Sequence, residues 1–439
     1  MGSSHGAPDF GAIVNQKREV PQALKMAALG LIALGVAGTA YGLSADANRT
    51  GGAFIVNFMY WAGIAQGAIT FTAVQVITKA RWPRPWKRLG EGMGLMMIPM
   101  YLFLIVFLLA GGLNVYEWYH WDHASAPPHK AVYLNPTFFV ARLVIGLGLL
   151  LLVDILMLRT SLRPDCGVAA RKFGWAPSGP VAWLVNIQNF GDEHAEVEAA
   201  QKKMATLAPL LAVTYAIVFS MVAVDVSMSL APHWYTNMFP AWYFMSAMWS
   251  SLVWLGMLSI YFMKWIGLDK ITTSKNYHDL GKLTFGLTMF WGYTTFAQYL
   301  PIWYGNMTEE IGFILLRTEL EPWATLSRVV VLMCFGIPWT MLLSRGLKKT
   351  KAGYLVVTTV LAVGIWLERF LVNMPSVYKG DTLPLGFAEI GMTLGFLGLF
   401  LTIITQFLSR VPPIPFTDPH MLPHPDDIHV VPSSVAHHH

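Results

Sequence analysis

Ten apolar runs of bilayer-spanning length follow one another along the chain: 22–43, 53–78, 92–115, 136–158, 205–228, 240–263, 283–304, 324–343, 353–374 and 385–408. No other feature restricts the fold as much. A helix that crosses hydrocarbon needs about 20 such residues, and runs of this length are too long for strands. Lipid supplies no hydrogen-bond partners, so a spanning backbone must be helical or close into a barrel. The runs predict an all-α integral membrane protein with ten transmembrane helices, numbered here as spans 1 to 10. The composition agrees, with 55% hydrophobic and 13% charged residues and a mean hydropathy of +0.49. Soluble domains carry about 25% charged residues. A soluble enzyme, a nucleic-acid binder and a disordered scaffold are excluded.

The net charge of +5 arises from basic residues in short loops, not from a nucleic-acid-binding patch. Their distribution sets the orientation. With helix ends included, all but seven of the 30 Lys and Arg lie in the N-terminal segment, the loops after the even-numbered spans, and the C-terminal segment. The exceptions are Arg49, Lys130, Arg317 and Lys379 in the opposite loops, and Arg142, Arg328 and Arg369 inside spans. Both termini are therefore expected in the cytoplasm, with the protein multi-pass in the bacterial inner membrane. Lys17 and Arg18 precede a first run of full spanning length, which is not the pattern of a cleavable signal. The terminal residues His437 to His439 are left out of the argument.

The chain divides into a cytoplasmic N-terminus (1–21), span 1 and its loop (22–52), a first block (53–228) containing a cytoplasmic loop at 159–204, a second block (240–374), span 10 (385–408) and a Pro-rich tail (411–439). Glu193 to Lys203 is expected to be helical. The tail is expected to lie against a partner subunit or to be disordered.

The two blocks echo each other. Pro136 opens span 4 with Arg142 six residues later, and Pro322 opens span 8 with Arg328 six residues later. Asp225 stands seven residues before Pro232, and Glu368 seven before Pro375. Leu89-Gly90 precedes span 3 as Leu280-Gly281 precedes span 7. Each unit holds four spans, so its two copies share one orientation, a parallel repeat. Spans 2–5 and 6–9 are read as two parallel-related four-helix bundles, flanked by spans 1 and 10.

Ionisable groups inside spans are costly and point to function. At 1.5 Å per residue, Arg142 and Asp225 lie roughly 10 Å below the outer ends of their helices. Arg328, Glu368, Arg369 and Glu389 fall in the same outer layer, and His120 and His123 lie just above it. Depth suggests Asp225 paired with Arg142 and Glu368 with Arg328. Glu368 and Arg369 point about 100° apart, so each is expected to find its partner on another helix. A second set lies near the inner face: Asp154, His278 and Asp279, with Glu91 at a helix start. Glu91 and Asp279 have a plain reading as acids that complement the helix dipole. The two sets can form two half-channels for protons, a polar site for a quinone headgroup built on His120, Asp225 and Arg142, or static ion pairs that fix the packing.

No histidine falls in mid-span, so the axial ligands of a membrane haem b are missing. No Walker A or dinucleotide fingerprint is found in the loops. Cys166 and Cys334 are too few for an iron–sulfur cluster or a thiolate metal site. No metal and no redox cofactor is expected in this chain. A secondary transporter with a parallel repeat remains a weaker alternative, because Pro301 and Pro338, which lie inside spans, each stand near one end.

The runs His278-Asp279-Leu280-Gly281-Lys282, Phe290-Trp291-Gly292-Tyr293 and Gln298 to Asn306, with Glu309-Glu310, resemble the NrfD/polysulfide-reductase family of membrane subunits. Asp225 with Ser229-Leu230 and Pro232-His233-Trp234, and Glu389-Ile390-Gly391, resemble the ActF-type subunits of alternative complex III. The resemblance covers nearly all ten spans. It implies two four-helix bundles between flanking helices, in a complex that oxidises menaquinol or ubiquinol. It also implies partners: a sister NrfD-like subunit of the ActC type, and iron–sulfur and multihaem cytochrome c subunits that hold the clusters and haems. The electron acceptor would be cytochrome c or another carrier. The sister subunit is usually credited with the quinol site, and the ActF type with a proton path. His120 matches a family histidine. Asn114, Glu117 and Ala231 depart from the family pattern, which weakens a quinol site here more than a proton or structural role.

Overall fold

The computed structural model describes residues 10–15, 18–121, 128–269, 271–415 and 417–421, the side chains of 10–12, 128, 129 and 309 excepted. All regular structure among them is helical. Ten long helices organise the chain: α1 Gln22–Ala45, α2 Ala47–Ile77, α3 Arg84–Leu109, α4 Pro136–Phe173, α5 Glu193–Leu230, α6 Met238–Trp265, α7 Ser274–Gly305, α8 Trp323–Leu343, α9 Lys351–Val377 and α10 Phe387–Ser409. Nine are long and apolar enough to cross a membrane. The exception is α7, which has the length at 32 residues but carries Thr284, Thr288, Tyr293, Thr294, Thr295 and Gln298.

The long helices overlap the apolar runs, but several ends differ, most of all in α4. α4 runs 15 residues past the expected boundary at 158, to Phe173. Arg159 begins a polar stretch, yet the helix continues through Pro164 to Gly174, whose φ of 66° makes it the C-cap. α5 starts at Glu193, where Asp192 accepts the Ala195 N–H and Glu193 and Glu196 complement the dipole. The expected loop 159–204 therefore shrinks to 174–192.

α2 is buried along nearly its whole length. It packs on α3, α5, α6 and α9, while α6 packs on α2, α5, α7 and α9. α4 lies on α5 and α3, and α8 lies on α7 and α9. α1 pairs with α10 alone over most of its length, through glycines that bring the backbones together. A Cβ added at Gly35 would lie 2.4 Å from the Cα of Gly395. Close approach of this kind is how helices gain dispersion contact in lipid. The seam is antiparallel, so both described chain ends share one face, where the Arg18 Nη2 donates to the Val411 carbonyl at 3.1 Å. This is called the terminal face below, and the opposite end the far face.

Candidate functional site

The far-face layer centres on α5, where a π-turn at Ala223–Ser227 carries Asp225. Turns of this type interrupt helices most often at functional positions. Asp225 is fully buried and accepts two N–H bonds from Arg142 of α4, from Nε at 3.1 Å and Nη2 at 3.0 Å. The guanidinium also lies 3.9 Å from the Tyr133 ring centroid and 4.2 Å from that of Phe138. This is the pair that depth suggested.

The corresponding Glu368–Arg328 pair does not form. Arg328 has 72% of its side chain exposed and, among the described residues, pairs with Glu321, at 3.6 Å. Glu368 instead binds its own neighbour, Arg369 Nη1, at 2.8 and 3.0 Å. The two Cβ directions do diverge, but arginine is long enough to turn its head back along the helix. Its surroundings fix the head there. Nη2 donates to Ser246 of α6, and the guanidinium lies 4.7 Å from the Tyr243 centroid and 5.2 Å from that of Trp242. Aromatic faces attract a planar cation, so α6 decides the pairing. A further bridge ties the two acids' helices together. Ser227 Oγ donates to Asn373 Oδ1 at 2.7 Å, and Asn373 Nδ2 donates to the Arg369 carbonyl at 2.7 Å.

Asp154 of α4 is buried against α2, where Gln66 Nε2 donates to its Oδ1 at 2.9 Å. Among the described residues no cation faces it. Its Oδ2, the Gln66 Oε1 and the Thr70 Oγ1 one turn along α2 also lack partners there.

Glu389 stands apart from the other acids. It accepts the Gly386 N–H at 2.9 Å, capping α10, and holds Arg49 through Nε at 2.6 Å and Nη2 at 2.9 Å. It therefore staples the α1–α2 corner to α10. Sequence reasoning counted Arg49 as an ordinary loop charge and missed this pair. His120 is exposed and places Nε2 3.0 Å from the Asn114 carbonyl of its own loop. Among the described residues nothing joins it to Arg142 or Asp225, and His123 lies outside them.

No protein-family model matches the chain, and no curated protein matches it.

At the terminal face, Asp279 binds Lys282 at 2.6 Å, with His278 Nδ1 3.8 Å away. The larger cluster there was not foreseen. Arg88 of α3, fully buried, donates to both Glu91 and Asp165, and Ser161 Oγ donates to Glu91 at 2.6 Å. Glu91 is thus a buried ion-pair partner rather than a dipole-complementing acid. Asp165 also accepts the Thr417 N–H at 2.7 Å. Asp418 holds Arg84 at 2.5 Å and Lys87 at 3.1 Å. Burial works to raise the Asp418 carboxyl, but Lys87, Arg84 and the His420 N–H outweigh it and hold it at about 2. Val411, Ile414 and Met421 are fully buried. The described tail therefore folds onto its own chain, where a partner contact or disorder was expected. The available signal was the run Arg84, Lys87 and Arg88, which has only Glu91 beside it in sequence.

A cavity of about 670 Å³ lies away from these acids. It is an apolar groove near the far face, between α1, α2, α3 and α10, walled by Phe54, Phe103, Phe107 and Phe396 and ending at Asn114. Among the described residues no three His, Cys, Asp or Glu are grouped to hold a metal.

Proposed function

We propose that the chain is a cofactor-free membrane subunit of a quinol:cytochrome c, or other acceptor, oxidoreductase of the NrfD-like type. In this reading it anchors the complex and conducts protons through buried carboxyls. α7 is the tenth span, both termini are cytoplasmic, and the membrane is a bacterial inner membrane. The helices form two parallel-related four-helix bundles, α2–α5 and α6–α9, flanked by α1 and α10. The packing supports this arrangement: α2 touches α3 and α5 as α6 touches α7 and α9, and the crossed contacts α2–α9 and α5–α6 interchange under the repeat. The sister NrfD-like, iron–sulfur and multihaem cytochrome c subunits would hold the redox centres.

The observation that carries the proton role is Asp154. A carboxyl that is fully buried, that has one neutral donor, and that faces no cation among the described residues is a place to take up and give back a proton. Glu368 and Asp225 would continue the path toward the far face, linked through Asn373 and Ser227. His278 and Asp279 would serve the terminal side. Glu389 drops out of the path, since both of its oxygens are engaged by Arg49 and the α10 cap.

The test is proton transfer and quinol oxidation by the reconstituted complex carrying Asp154→Asn or Glu368→Gln. The expected outcome is fewer protons moved per electron at near-normal assembly. An unchanged ratio in both variants would sink the proton role. A second reading, a quinol site, draws on the far-face groove, whose Asn114 carbonyl is held by His120. A quinone photoprobe that labels the groove would favour it over proton conduction alone.

A further inference from the structure

The reading above counts α7 as a span although it is not among the helices apolar enough to cross a membrane. Its outer face supplies a reason. Gly286, Met289, Tyr293, Phe296, Leu300 and Trp303 form one exposed stripe, while Thr284, Thr288, Trp291 and Thr294 face the core. The outer faces of α4 and α5 are aliphatic, with Ile145, Leu149 and Leu152 on one and Leu210, Val213 and Ile217 on the other. Lipid accepts those side chains. The α7 stripe is aromatic instead, with Tyr293 67%, Phe296 59% and Trp303 56% exposed.

Trp303 fits the interfacial belt at a helix end. Tyr293 does not, because it lies ten residues further in, about 15 Å along the axis. Its hydroxyl has no hydrogen-bond partner among the described residues, and hydrocarbon offers none. At about 150–250 Å² per aromatic side chain, the stripe with the neighbouring Tyr304 leaves on the order of 700 Å² open. A standard stable interface covers about 800 Å² per partner.

The shape of the stripe also selects the occupant. A Cβ at Gly286 would meet nothing within 4 Å, while the far half of the stripe is bulky. Copies of one chain share orientation in a membrane, so a second copy would set Gly286 against itself and the large rings against each other. The helices would touch at one end and be forced apart at the other. We infer that this face of α7 docks a transmembrane helix of a different polypeptide. That helix is bulky opposite Gly286, rich in small residues opposite Tyr293 to Trp303, and carries an oxygen that accepts the Tyr293 hydroxyl proton. The inference rests on α7 being a membrane span.

The test places a photo-crosslinking residue at 293, at 300 and, as a control, at 145, in the intact complex in its own membrane. The expected products at 293 and 300 join one transmembrane segment of one other polypeptide, at sites about seven residues apart, while 145 takes lipid. Tyr293→Phe is expected to lower retention of that polypeptide through detergent extraction about threefold. Lipid adducts alone at 293 and 300, or adducts to α7 of a second copy, overturn the docking and leave the span standing. Labelling of Tyr293→Cys by a water-borne maleimide overturns the span itself, and the docking with it.

Discussion

In α3, Arg88 and Glu91 flank Leu89-Gly90; in α7, Asp279 and Lys282 flank Leu280-Gly281, with the signs exchanged. The spacing is the same and the surroundings are not. Arg88 and Glu91 are sealed beneath Asp165, Ser161 and the folded tail. Asp279 and Lys282 stay partly open to solvent. The far-face layer repeats the lesson. Asp225 takes its cation from the next helix, while Glu368 takes the adjacent residue because α6 offers that guanidinium two aromatic rings. The echo between the halves thus fixes where charges stand along a helix, and the neighbouring helix decides which of them meet.

The strongest way to break this comparison is Arg88→Ala against Asp279→Asn. Removing Arg88 strands two buried carboxylates, which typically costs about 3–5 kcal/mol. Removing the partly exposed Asp279 charge is expected to cost less than about 1 kcal/mol. Thermal unfolding in detergent separates the two, and equal losses would mean that burial is not what distinguishes the halves. The far-face layer gives the next test. Arg142→Ala is expected to destabilise by about 3 kcal/mol, because it leaves Asp225 unpaired in the interior. Arg328→Ala is expected to stay within about 0.5 kcal/mol, since Arg328 is a surface side chain. A comparable loss from Arg328→Ala would revive the quasi-equivalent pairing with Glu368.

Two loop cations extend the comparison at a smaller scale. Pro375 in α9 has no N–H, which leaves the Leu371 carbonyl unpaired four residues back. Arg317 takes it through Nε at 3.1 Å, and takes the Val372 carbonyl through Nη2 at 2.7 Å. In the first half Lys130 makes one such bond, to the Pro232 carbonyl at 3.0 Å. Arg317→Met is expected to cost about 2 kcal/mol and Lys130→Met under about 1, measured by the same unfolding assay.

What the sequence disclosed follows from what hydropathy and depth measure. Hydropathy measures lipid contact, so it located the apolar runs but ended α4 at 158, where the lipid signal stops and the helix does not. Depth measures height along the membrane normal, so it matches Arg142 with Asp225, which pair in the fold. Rotation about a helix axis is in neither quantity. That is why depth pairs Arg328 with Glu368 although Arg328 faces outward in the fold, and why the charge count alone does not disclose that Arg49 holds Glu389. The tail was opaque for another reason. Residues 411–421 are Pro-rich and carry no helical period, and their fold depends on Asp418 meeting a cluster more than 300 residues away in sequence.

The smallest expected effect on global unfolding is at this tail, and it belongs to the comparison because, among the described residues, the tail straps the first half. The Asp418 carboxyl sits at about 2 in the folded protein, below its ordinary value of about 3.9. A carboxyl lowered by folding stabilises the fold fully above its unfolded value, and that contribution is lost as pH falls through the folded one. The strap is therefore expected to hold from neutral pH down to about 4 and to loosen between there and about 2. The difference corresponds to roughly 2.5 kcal/mol, acting locally on the described tail. Hydrogen exchange of the Thr417 amide, which Asp165 accepts, reads it directly. Asp418→Asn should raise that exchange at pH 7 by ten-fold or more while leaving global unfolding within about 0.5 kcal/mol. Opening of the wild-type tail between pH 7 and 5 would show that something other than Asp418 holds it. The first half would then owe its closed terminal face to Arg88 and Asp165 alone.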